Sequence, residues 1–465
     1  MADGEVRITA VVLAAGSGSR FGGAKLLAGL AGRPILQHVL DTIAQSGLDD
    51  VVVVLGDAAA DVEAAIAWRG ERRVVNPDPA GGLAGSLRIG MRAVDPSATA
   101  ALVVLGDQPR VAPATIRALR DATPQPGRTV VVPRYRADRG RNPVLLHRPA
   151  FGLVQEAQGD RGLGPVLVAH PGLVHEVPMN GHNPDVDTRA DLVELAEAAW
   201  AERVRANREQ VDRLREVPDG KDFYAPVTGL FRADPRRTDE ALLEVLRGLV
   251  VPGETWLDIG AGAGRYALPL ALLAARVVAV DPSRGMLDAL REGMTEHGII
   301  NVDAIEGRWP DVHPRPSADV ALIAHVGYDI EGIGTFIDAM EAAASRLCVA
   351  VLMERQPASL ADPCWPLVHG EARNPLPALP EFVDLLRARG RDPEVRMMER
   401  EARRFASRDD LESFLRRQLW VAEDGAKDAG FRAAVDALAI EDEGGVFLRG
   451  LTPMGIGLVT WASTK

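Results

Sequence analysis

A run of β-branched and aliphatic residues opens into a glycine-rich loop at residues 8–25, which read ITAVVLAAGSGSRFGGAK. A strand followed by such a loop is typical of phosphate-binding α/β domains, because the backbone amides of the loop can point at a ligand. The spacing differs from the Walker pattern, since Lys25 does not directly follow Gly23. With Arg20 and Lys25 as positive groups, the stretch suits a triphosphate whose α-phosphate is attacked.

Short β-branched runs alternate with alanine-rich helical stretches on both sides of this loop, which predicts α/β units on mainly parallel sheets. A second strand, glycine loop and helix begin at residue 255 with TWLDIGAGAGRYALPLA. We therefore predict two doubly wound Rossmann-like domains, at residues 1–198 and 226–465, joined by a charged helical linker at 199–225. The apolar runs GVFLRGL and GIGLVTWAS near the end of the chain predict a hairpin that closes the second sheet.

The composition excludes several classes of protein. The 465 residues carry a net charge of −12, which disfavours non-specific nucleic-acid binding. Two cysteines cannot form a disulfide framework, and no Cys/His cluster has zinc-site spacing. No apolar run approaches the roughly 18 residues of a membrane span. A cytoplasmic location without a membrane or nucleic-acid partner is expected.

Acidic residues follow predicted strands or precede predicted helices at two further places. Asp107 ends the strand ALVVLG, where open α/β sheets bind ligands, and could hold Mg²⁺. Asp185 and Asp187 in NPDVDT are candidate second ligands of Mg²⁺, although Asp187 or Thr188 could instead cap the following helix.

The loop GGLAGSLRIG contributes Ser86 and Arg88, which could contact a base or a phosphate. An ordinary loop capped by Ser86 is the alternative interpretation.

Six motifs in order resemble the MobA-like nucleotidyltransferases, closest to the molybdenum cofactor cytidylyltransferase branch: LAAGSGSRFGGAK, GGLAGSLRIG, VVLGDQP, RGRNPVLL, GDRGLGPVL and NPDVDT. The resemblance implies a nucleotidyltransferase fold in which Arg20, Lys25 and Asp107 are catalytic, with Mg²⁺ on Asp107. It also implies nucleotide binding by the first loop, at Ala14, Ala15, Gly16 and Gly18, and acceptor contacts at Asn142–Leu145 and Gly159–Gly164.

The same resemblance implies a reaction between CTP and molybdopterin that releases pyrophosphate. Ala15 favours CTP over GTP, because the guanylyl-transferring branch tends to have LAGG at this point. Two positions depart from the family pattern: Gly162-Leu163-Gly164 stands where Gly-Ala-Arg is usual, and Arg189 stands where proline commonly follows the threonine. The first departure bears on the identity of the acceptor.

The second glycine loop resembles class I S-adenosylmethionine (SAM) methyltransferases, because Asp258 precedes a G-x-G-x-G loop and a later strand ends in Asp281. The resemblance implies that SAM is bound by the following residues: Asp258, Gly260, Gly262, Gly264, Asp281 and Glu306. Gly307 and Arg308 would lie near the adenine. His325 and Tyr328 are candidates for the methyl-acceptor site, whereas Cys364 follows the wrong strand for a nucleophile.

Three interpretations of the whole chain stay open on sequence. The first is a bifunctional enzyme that makes a molybdopterin dinucleotide and methylates an unidentified acceptor. The second keeps nucleotidyl transfer but on another small phosphorylated acceptor. The third makes the methyltransferase-like half an inactive carrier or chaperone that hands cofactor to a molybdenum hydroxylase.

Overall fold

A computed structural model describes residues 7–16, 18, 20–48, 50–123, 125–136, 140–218, 229, 231–399, 403–451 and 453–463. The chain divides into two compact units, unit 1 at Met1–Leu195 and unit 2 at Ala196–Lys465. Each unit contains a mostly parallel sheet with helices, so the predicted α/β class with two doubly wound sheets is confirmed.

Unit 1 begins with the predicted strand and alternates strands with helices. Its described strands are β1 (Ile8–Ala14), β2 (Gly29–Leu30), β3 (Arg33–Pro34), β4 (Asp50–Leu55), β5 (Arg72–Val75), β6 (Ala100–Leu105), β7 (Val130–Tyr135), β8 (Val144–His147) and β9 (Val174–Met179). Its described helices are α1 (Ile35–Ala44), α2 (Ala59–Ala65), α3 (Leu83–Arg92), α4 (Pro113–Arg120), α5 (Gly164–Ala169) and the first part of α6 (Arg189–Leu214).

The main sheet of unit 1 has seven strands among the described residues, in the order β5-β4-β1-β6-β8-β7-β9. Strand β1 pairs in parallel with β4 and β6, whereas β8 runs antiparallel between β6 and β7. The edge strand β9 was not predicted, because its sequence VHEVPM mixes polar residues and a proline into the apolar pattern.

The apolar run of β1 is buried on both faces of the sheet, as a central parallel strand requires. Val11 and Leu13 pack in one core cluster with Leu87 of α3. Val12 packs in the other cluster with Leu36 and Leu40 of α1. The two cores hold the carboxyl end of β1, and the loop that follows it, in a defined position.

Unit 2 repeats the alternation of strands and helices. Its described strands are β10 (Thr255–Ile259), β11 (Arg276–Asp281), β12 (Val302–Glu306), β13 (Ala318–Ala324), β14 (Ala344–Met353), β15 (Glu394–Met398), β16 (Ala439–Asp442), β17 (Gly445–Leu448) and β18 (Ile456–Ala462). Its further described helices are α7 (Ala241–Gly248), α8 (Ala267–Ala271), α9 (Arg284–His297), α10 (Ile333–Ala343), α11 (Trp365–His369), α12 (Leu379–Ala388), α13 (Arg408–Leu419) and α14 (Asp428–Leu438).

The main sheet of unit 2 also has seven described strands, in the order β12-β11-β10-β13-β14-β18-β15. The predicted hairpin between GVFLRGL and GIGLVTWAS is wrong. Strand β17 pairs with β16 in a separate two-stranded sheet, while β18 lies antiparallel between β14 and β15. The short connection from β16 to β17 allows a local hairpin, and the apolar β18 fits a position that is covered on both faces.

Helix α6 crosses the division between the two units. Within unit 2, Trp200 Nε1 donates to the Ile330 carbonyl oxygen at 2.9 Å, and Asn207 Nδ2 donates to the Asn374 carbonyl oxygen at 2.6 Å. The residues expected to be a linker are therefore helical as far as Leu214 and contact unit 2. The boundaries 1–198, 199–225 and 226–465 stay a prediction, because residues 219–228 lie outside the described ranges.

No helix in the described part of the chain is both long enough and apolar enough to cross a membrane.

We predict that Gly90→Ala destabilises unit 1. A methyl group on Gly90 in α3 would lie 2.4 Å from Val11 Cγ1 and 2.9 Å from Val54 Cγ2. Forcing such an overlap in a packed core lowers the free energy of unfolding by about 1–3 kcal/mol, to be measured by urea unfolding followed by circular dichroism.

Gly85→Ala is the matched control in the same helix, because its methyl group would lie 3.7 Å from Asn76 Nδ2. It should leave stability unchanged or raise it by up to about 1 kcal/mol through helix propensity. Equal unfolding midpoints for the two variants would contradict the close contact between α3 and the sheet.

Candidate functional site

The first glycine loop lines a cavity of about 340 Å³ at the carboxyl end of β1. The predicted loop residues that face this cavity are Ala14, Ala15, Gly16, Gly18, Arg20 and Lys25. Gly18 has φ +60°, and a Cβ there would lie 2.4 Å from the carbonyl oxygen of Gly23. Only glycine fits this turn, which folds the loop back on itself at the cavity.

Lys25 is the central charge of this cavity. Its Nζ lies 2.5 Å from Asp107 Oδ2 and 3.5 Å from Asp187 Oδ1, and the side chain is 12% exposed. Arg20 Nη2 lies 3.1 Å from Asp187 Oδ2. The fold thus brings Arg20, Lys25, Asp107 and Asp187 together from three separate segments of the sequence.

The carboxylate of Asp185 lies beside this group and is held by Gln108, whose Nε2 donates to Asp185 Oδ1 at 2.6 Å. Burial raises the pKa of Asp185, and the negative charge of Asp107 raises it further. The site therefore disfavours a third negative charge unless a cation is present.

The helix-capping alternative for Asp187 is resolved by the start of α6. Thr188 Oγ1 accepts from the backbone N–H of Asp191 at 3.2 Å, and Asp191 Oδ2 accepts from the backbone N–H of Thr188 at 2.7 Å. This reciprocal capping box is made by Thr188 and Asp191. The side chain of Asp187 instead faces Lys25 and Arg20.

The aspartates have the donor chemistry that Mg²⁺ prefers, and their mutual repulsion would be relieved by a cation. Within the described ranges, no group of three or more His, Cys, Asp or Glu side chains is arranged to hold a metal ion by itself. Phosphate oxygens of a bound nucleotide would have to complete the ligand set, as is usual for Mg²⁺. The assignment of Asp107, Asp185 and Asp187 as metal ligands stays a prediction.

The loop before α3 contributes one of its two predicted residues to the cavity. Ser86 lines the cavity, is 4% exposed and accepts from Asn76 Nδ2 at 3.0 Å. Helix α3 begins after Gly82, so Ser86 does not cap it.

Arg88 is not among the residues that line this cavity, and its contact with a nucleotide stays a prediction. Its guanidinium donates to the carbonyl oxygen of Ala157. Residues two apart on a helix do not share a face, which turns Arg88 away from Ser86.

A second cavity of about 430 Å³ adjoins the first, because Leu13, Leu83 and Leu105 line both. The segments expected to contact the acceptor contribute Asn142, Val144 and residues 162–164 to it. Leu145 does not line this cavity, since it packs in the opposite core cluster. The remaining walls are aliphatic, with Arg141 and Arg161 as the charged lining residues.

In unit 2 the second glycine loop lines a cavity of about 340 Å³ at the carboxyl end of β10. Gly260, Gly262 and Gly264 have φ values of +77°, +53° and +83°, which side chains other than glycine rarely adopt. A Cβ on Gly260 would lie 2.4 Å from Val326 Cγ2. Gly260 and Gly262 bring the loop backbone to the cavity wall. Gly264, which was also predicted to bind SAM, does not line the cavity; a Cβ there would lie 2.9 Å from Leu268 Cγ in the core.

Asp281 ends β11 at the same cavity. Its Oδ2 accepts from the Gly262 N–H at 2.9 Å, and its Oδ1 accepts from the Ser283 N–H at 2.8 Å. The carboxylate is therefore oriented by the glycine loop, with lone pairs that can also accept from ribose hydroxyls. The positive-φ loop, this carboxylate and the cavity volume fit SAM.

Asp258 lines the cavity from β10 and is 2% exposed. Burial raises its pKa to about 7, with a further contribution from Asp281, while a hydrogen bond from the Ala267 backbone acts in the opposite direction. Near neutral pH this carboxyl group therefore titrates inside the fold.

Two residues predicted for this site lie elsewhere. Glu306 is the exposed last residue of β12 and does not line the cavity, whereas Gly307 and Arg308 do. Tyr328 is buried, its hydroxyl accepts from the Met353 backbone N–H at 2.8 Å, and burial raises its pKa. Its hydroxyl thus supports the end of β14 and is not part of the cavity wall.

His325 does line the cavity, and its backbone adopts φ +59°. A non-glycine residue in this conformation is strained, and such strain clusters at functional sites. Cys364 is fully buried, and burial raises the pKa of its thiol to about 11. It packs in a core cluster with Trp365, in agreement with its rejection as a nucleophile.

Sequence reasoning did not identify several cavity residues. Phe231, Arg265 and Trp309 line the cavity of unit 2. Asp160, which lines the first cavity, lies within the Gly159–Gly164 segment that was expected to contact the acceptor. Arg265 directly follows the third glycine of its loop, so its position was a usable signal. Phe231 and Trp309 carry no such signal in the local sequence.

Comparisons with known families agree with this geometry. Residues 10–174 match the model of the MobA-like NTP transferase domain, and residues 257–344 match the model of a methyltransferase domain. The N-terminal half of the chain thus carries a MobA-like NTP transferase domain, and the C-terminal half carries a methyltransferase domain. The resemblances to MobA-like nucleotidyltransferases and to methyltransferases are confirmed for these two domains.

A curated relative is the bifunctional protein GlmU of Sorangium cellulosum, 36% identical over 135 residues, which cover 27% of this chain and 28% of that protein. The chain spans about a quarter of the length of the curated relatives it matches.

Similar solved structures match one half of the chain at a time. Rv0371c of Mycobacterium tuberculosis is 39% identical with a TM-score of 0.38, and the match covers 41% of this chain and 97% of that one. The YcgJ protein of Bacillus subtilis is 15% identical with a TM-score of 0.35, and that match covers 48% and 98%.

We predict that Asp258→Asn removes a pH dependence from the stability of unit 2. A pKa of about 7 means that the folded state keeps a proton that the unfolded state loses near its ordinary pKa of 3.8. The contribution of this proton to the free energy of unfolding is therefore fully present below about pH 4 and is lost as the pH rises from about 4 to about 7.

Compared with the unsubstituted protein, Asp258→Asn should therefore gain stability between pH 5 and pH 8, by roughly 3 kcal/mol at about 1.4 kcal/mol per pH unit. Thermal unfolding without ligand at several pH values measures the difference. Asp303→Asn, on exposed β12, is the control and should show no such trend. If the difference in stability between Asp258→Asn and the unsubstituted protein did not change with pH, the prediction of a buried carboxyl group that binds a proton would be wrong.

Proposed function

We propose that unit 1 transfers the CMP group of CTP to molybdopterin, dependent on Mg²⁺ and with release of pyrophosphate, and that unit 2 is a SAM-dependent methyltransferase. The observation that carries the first part is Lys25 between Asp107 and Asp187, at the cavity formed by the first glycine loop. Cations and carboxylates in one cavity are the groups that nucleotidyl transfer needs.

The residues of unit 1 suit an in-line displacement at the α-phosphorus. A phosphate oxygen of the acceptor attacks, and the bond to the pyrophosphate oxygen breaks. The attacking oxygen is already ionised, so no general base is needed. Lys25, Arg20 and the loop amides would neutralise the charge on the phosphates, and the fold would hold both substrates in line.

Mg²⁺, when bound by Asp107 with Asp185 or Asp187, would supply further positive charge against the phosphate oxygens. Lys25 pairs with Asp107 and Asp187, and Arg20 pairs with Asp187, so these contacts set the positions of both carboxylates.

CTP and molybdopterin as substrates are supported by the family resemblance and by Ala15 in the loop. The adjoining cavity supports a second candidate, nucleotidyl transfer to another small phosphorylated acceptor. Its walls are largely aliphatic, and Leu163 and Gly164 stand where the family usually has alanine and arginine. A molybdenum hydroxylase would receive the cofactor only where the acceptor is molybdopterin.

For unit 2, SAM binding is supported by the glycine loop, by Asp281 and by the cavity that they share. SAM, when bound, would supply an electrophilic methyl group on its sulfonium. His325, which lines the cavity, would accept hydrogen bonds or protons from a methyl acceptor. The alternative is a methyltransferase-like half without activity, which acts as a carrier.

The nucleotidyl-transfer proposal predicts a labelled dinucleotide from α-labelled CTP and Mg²⁺ only when molybdopterin is present, with less product from GTP. Asp107→Asn should reduce the rate by at least about 100-fold, the usual effect of losing one electrostatic group at a transferred phosphate. Pyrophosphate release and labelled dinucleotide are the two readouts.

Asp121→Asn is the matched control, because Asp121 pairs with Arg120 on the surface of the same unit. It should keep full activity. Product with a different phosphorylated acceptor, but not with molybdopterin, would favour the second candidate. Full activity of Asp107→Asn would reject the proposed site.

The SAM proposal predicts that SAM raises the melting temperature of unit 2, because a ligand that binds only the folded state stabilises it by about 2.7 kcal/mol at 100 times its Kd. Asp281→Ala should abolish most of this shift, since it removes the carboxylate that faces the ribose position. Asp303→Asn serves as the control and should keep it. Absence of a shift in the unsubstituted protein would favour the carrier interpretation.

A further inference from the structure

Arg265 directly follows the glycine loop of unit 2 and lines the cavity proposed for SAM. Its side chain is 42% exposed, and its guanidinium carbon lies 5.9 Å from the centre of the Tyr266 ring. The residue thus brings a permanent positive charge to the cavity wall.

Glu240 holds the guanidinium of Arg265 in place. Glu240 Oε2 accepts from Arg265 Nη2 at 2.7 Å and from Arg237 Nε at 2.8 Å, and Glu240 Oε1 accepts from the Tyr266 hydroxyl at 2.9 Å. One carboxylate therefore faces two guanidinium groups, so the cluster keeps a net positive charge. Glu240 accepts from Nη2 of Arg265, so other N–H groups of the planar guanidinium can donate to a second carboxylate.

The other charged residues that line the cavity are mostly acidic, which distinguishes Arg265 from them. Asp258 and Asp281 line the cavity from β10 and β11, and Asp329 lines it after β13. These acids favour the cationic and hydroxyl groups of a ligand and disfavour an anion. Arg308, the second arginine of the lining, follows β12 on the side expected for adenine.

We propose that Arg265 binds the carboxylate of the amino-acid part of SAM, and that Glu240 is the positioning residue that orients it. This inference rests on the proposed SAM binding of unit 2. A guanidinium held beforehand loses little side-chain entropy when it binds, and an Arg–carboxylate pair is a strong, geometrically specific contact. The cavity would therefore distinguish SAM from adenosyl compounds that lack the carboxylate.

The test compares two ligands that differ only in this group, SAM and decarboxylated SAM, by calorimetric titration of the full-length protein. The unsubstituted protein should bind SAM about tenfold to a hundredfold more tightly, as expected for a hydrogen-bonded charged pair. Arg265→Gln should lose this preference and leave the affinity for decarboxylated SAM within about twofold, which also shows that the variant is folded.

Glu240→Gln should reduce the ratio of the affinities for SAM and decarboxylated SAM by several-fold, because the guanidinium of Arg265 is less well oriented. The affinity for decarboxylated SAM should not change. Arg237→Gln is the matched control for Arg265, since Arg237 contacts the same Glu240 but does not line the cavity. It should retain the preference of the unsubstituted protein. Arg308→Gln should also retain the preference for SAM over decarboxylated SAM, because Arg308 lies on the side expected for adenine.

Equal loss of affinity for both ligands in Arg265→Gln, or a selective loss in Arg308→Gln, would overturn the assignment to Arg265 while leaving SAM binding intact. An unchanged preference in Glu240→Gln would overturn the positioning role of Glu240. Failure of the unsubstituted protein to bind either ligand would instead overturn the proposed SAM binding, and the assignment to Arg265 with it.

Discussion

Parallel pairing of the central strands places their carboxyl ends at one edge of each sheet, and both candidate sites depend on this constraint. In unit 1, Leu13 of β1 pairs with Leu105 of β6, so the first glycine loop and Asp107 emerge side by side. In unit 2, Ile259 of β10 pairs with Val280 of β11, so the second loop meets Asp281. Side chains distant in sequence share a cavity because the strands before them are hydrogen-bonded neighbours.

The two sites manage repulsion between carboxylates in different ways. In unit 1, Lys25 bridges Asp107 and Asp187, and Arg20 adds a second positive charge at Asp187. In unit 2, Asp258 is buried near Asp281, and its pKa rises to about 7. The first arrangement places cationic side chains against its carboxylates, whereas the second makes a proton part of the folded state near neutral pH.

Much of each fold was predictable, because periodic apolar runs bounded by glycine report buried parallel strands. The runs at β1, β6, β10 and β11 were recognised in this way. The edge strand β9 was missed, since an edge position tolerates polar residues and Pro178. The terminal hairpin was mispredicted, because adjacency in sequence favours local pairing, whereas β18 finds its partners in β14 and β15.

The site predictions divide in the same way. Gly18 and Lys25 lie in the loop after β1, Asp107 lies just after β6, and Asp281 ends β11. Each of them lines its expected cavity. Arg88, Glu306 and Tyr328 do not, because the direction of a side chain on its helix, strand or loop depends on packing that the local sequence does not report.

The amino-acid sequence by itself determined two α/β units, their glycine loops and the acids at the strand ends, since these follow from local periodicity and backbone freedom. Only the tertiary structure decided that Lys25 meets Asp187, that Gln108 holds Asp185 and that Glu240 orients Arg265. Those contacts join segments separated by 162, 77 and 25 residues. Contacts over such separations arise from the packing of whole elements, which no local pattern encodes.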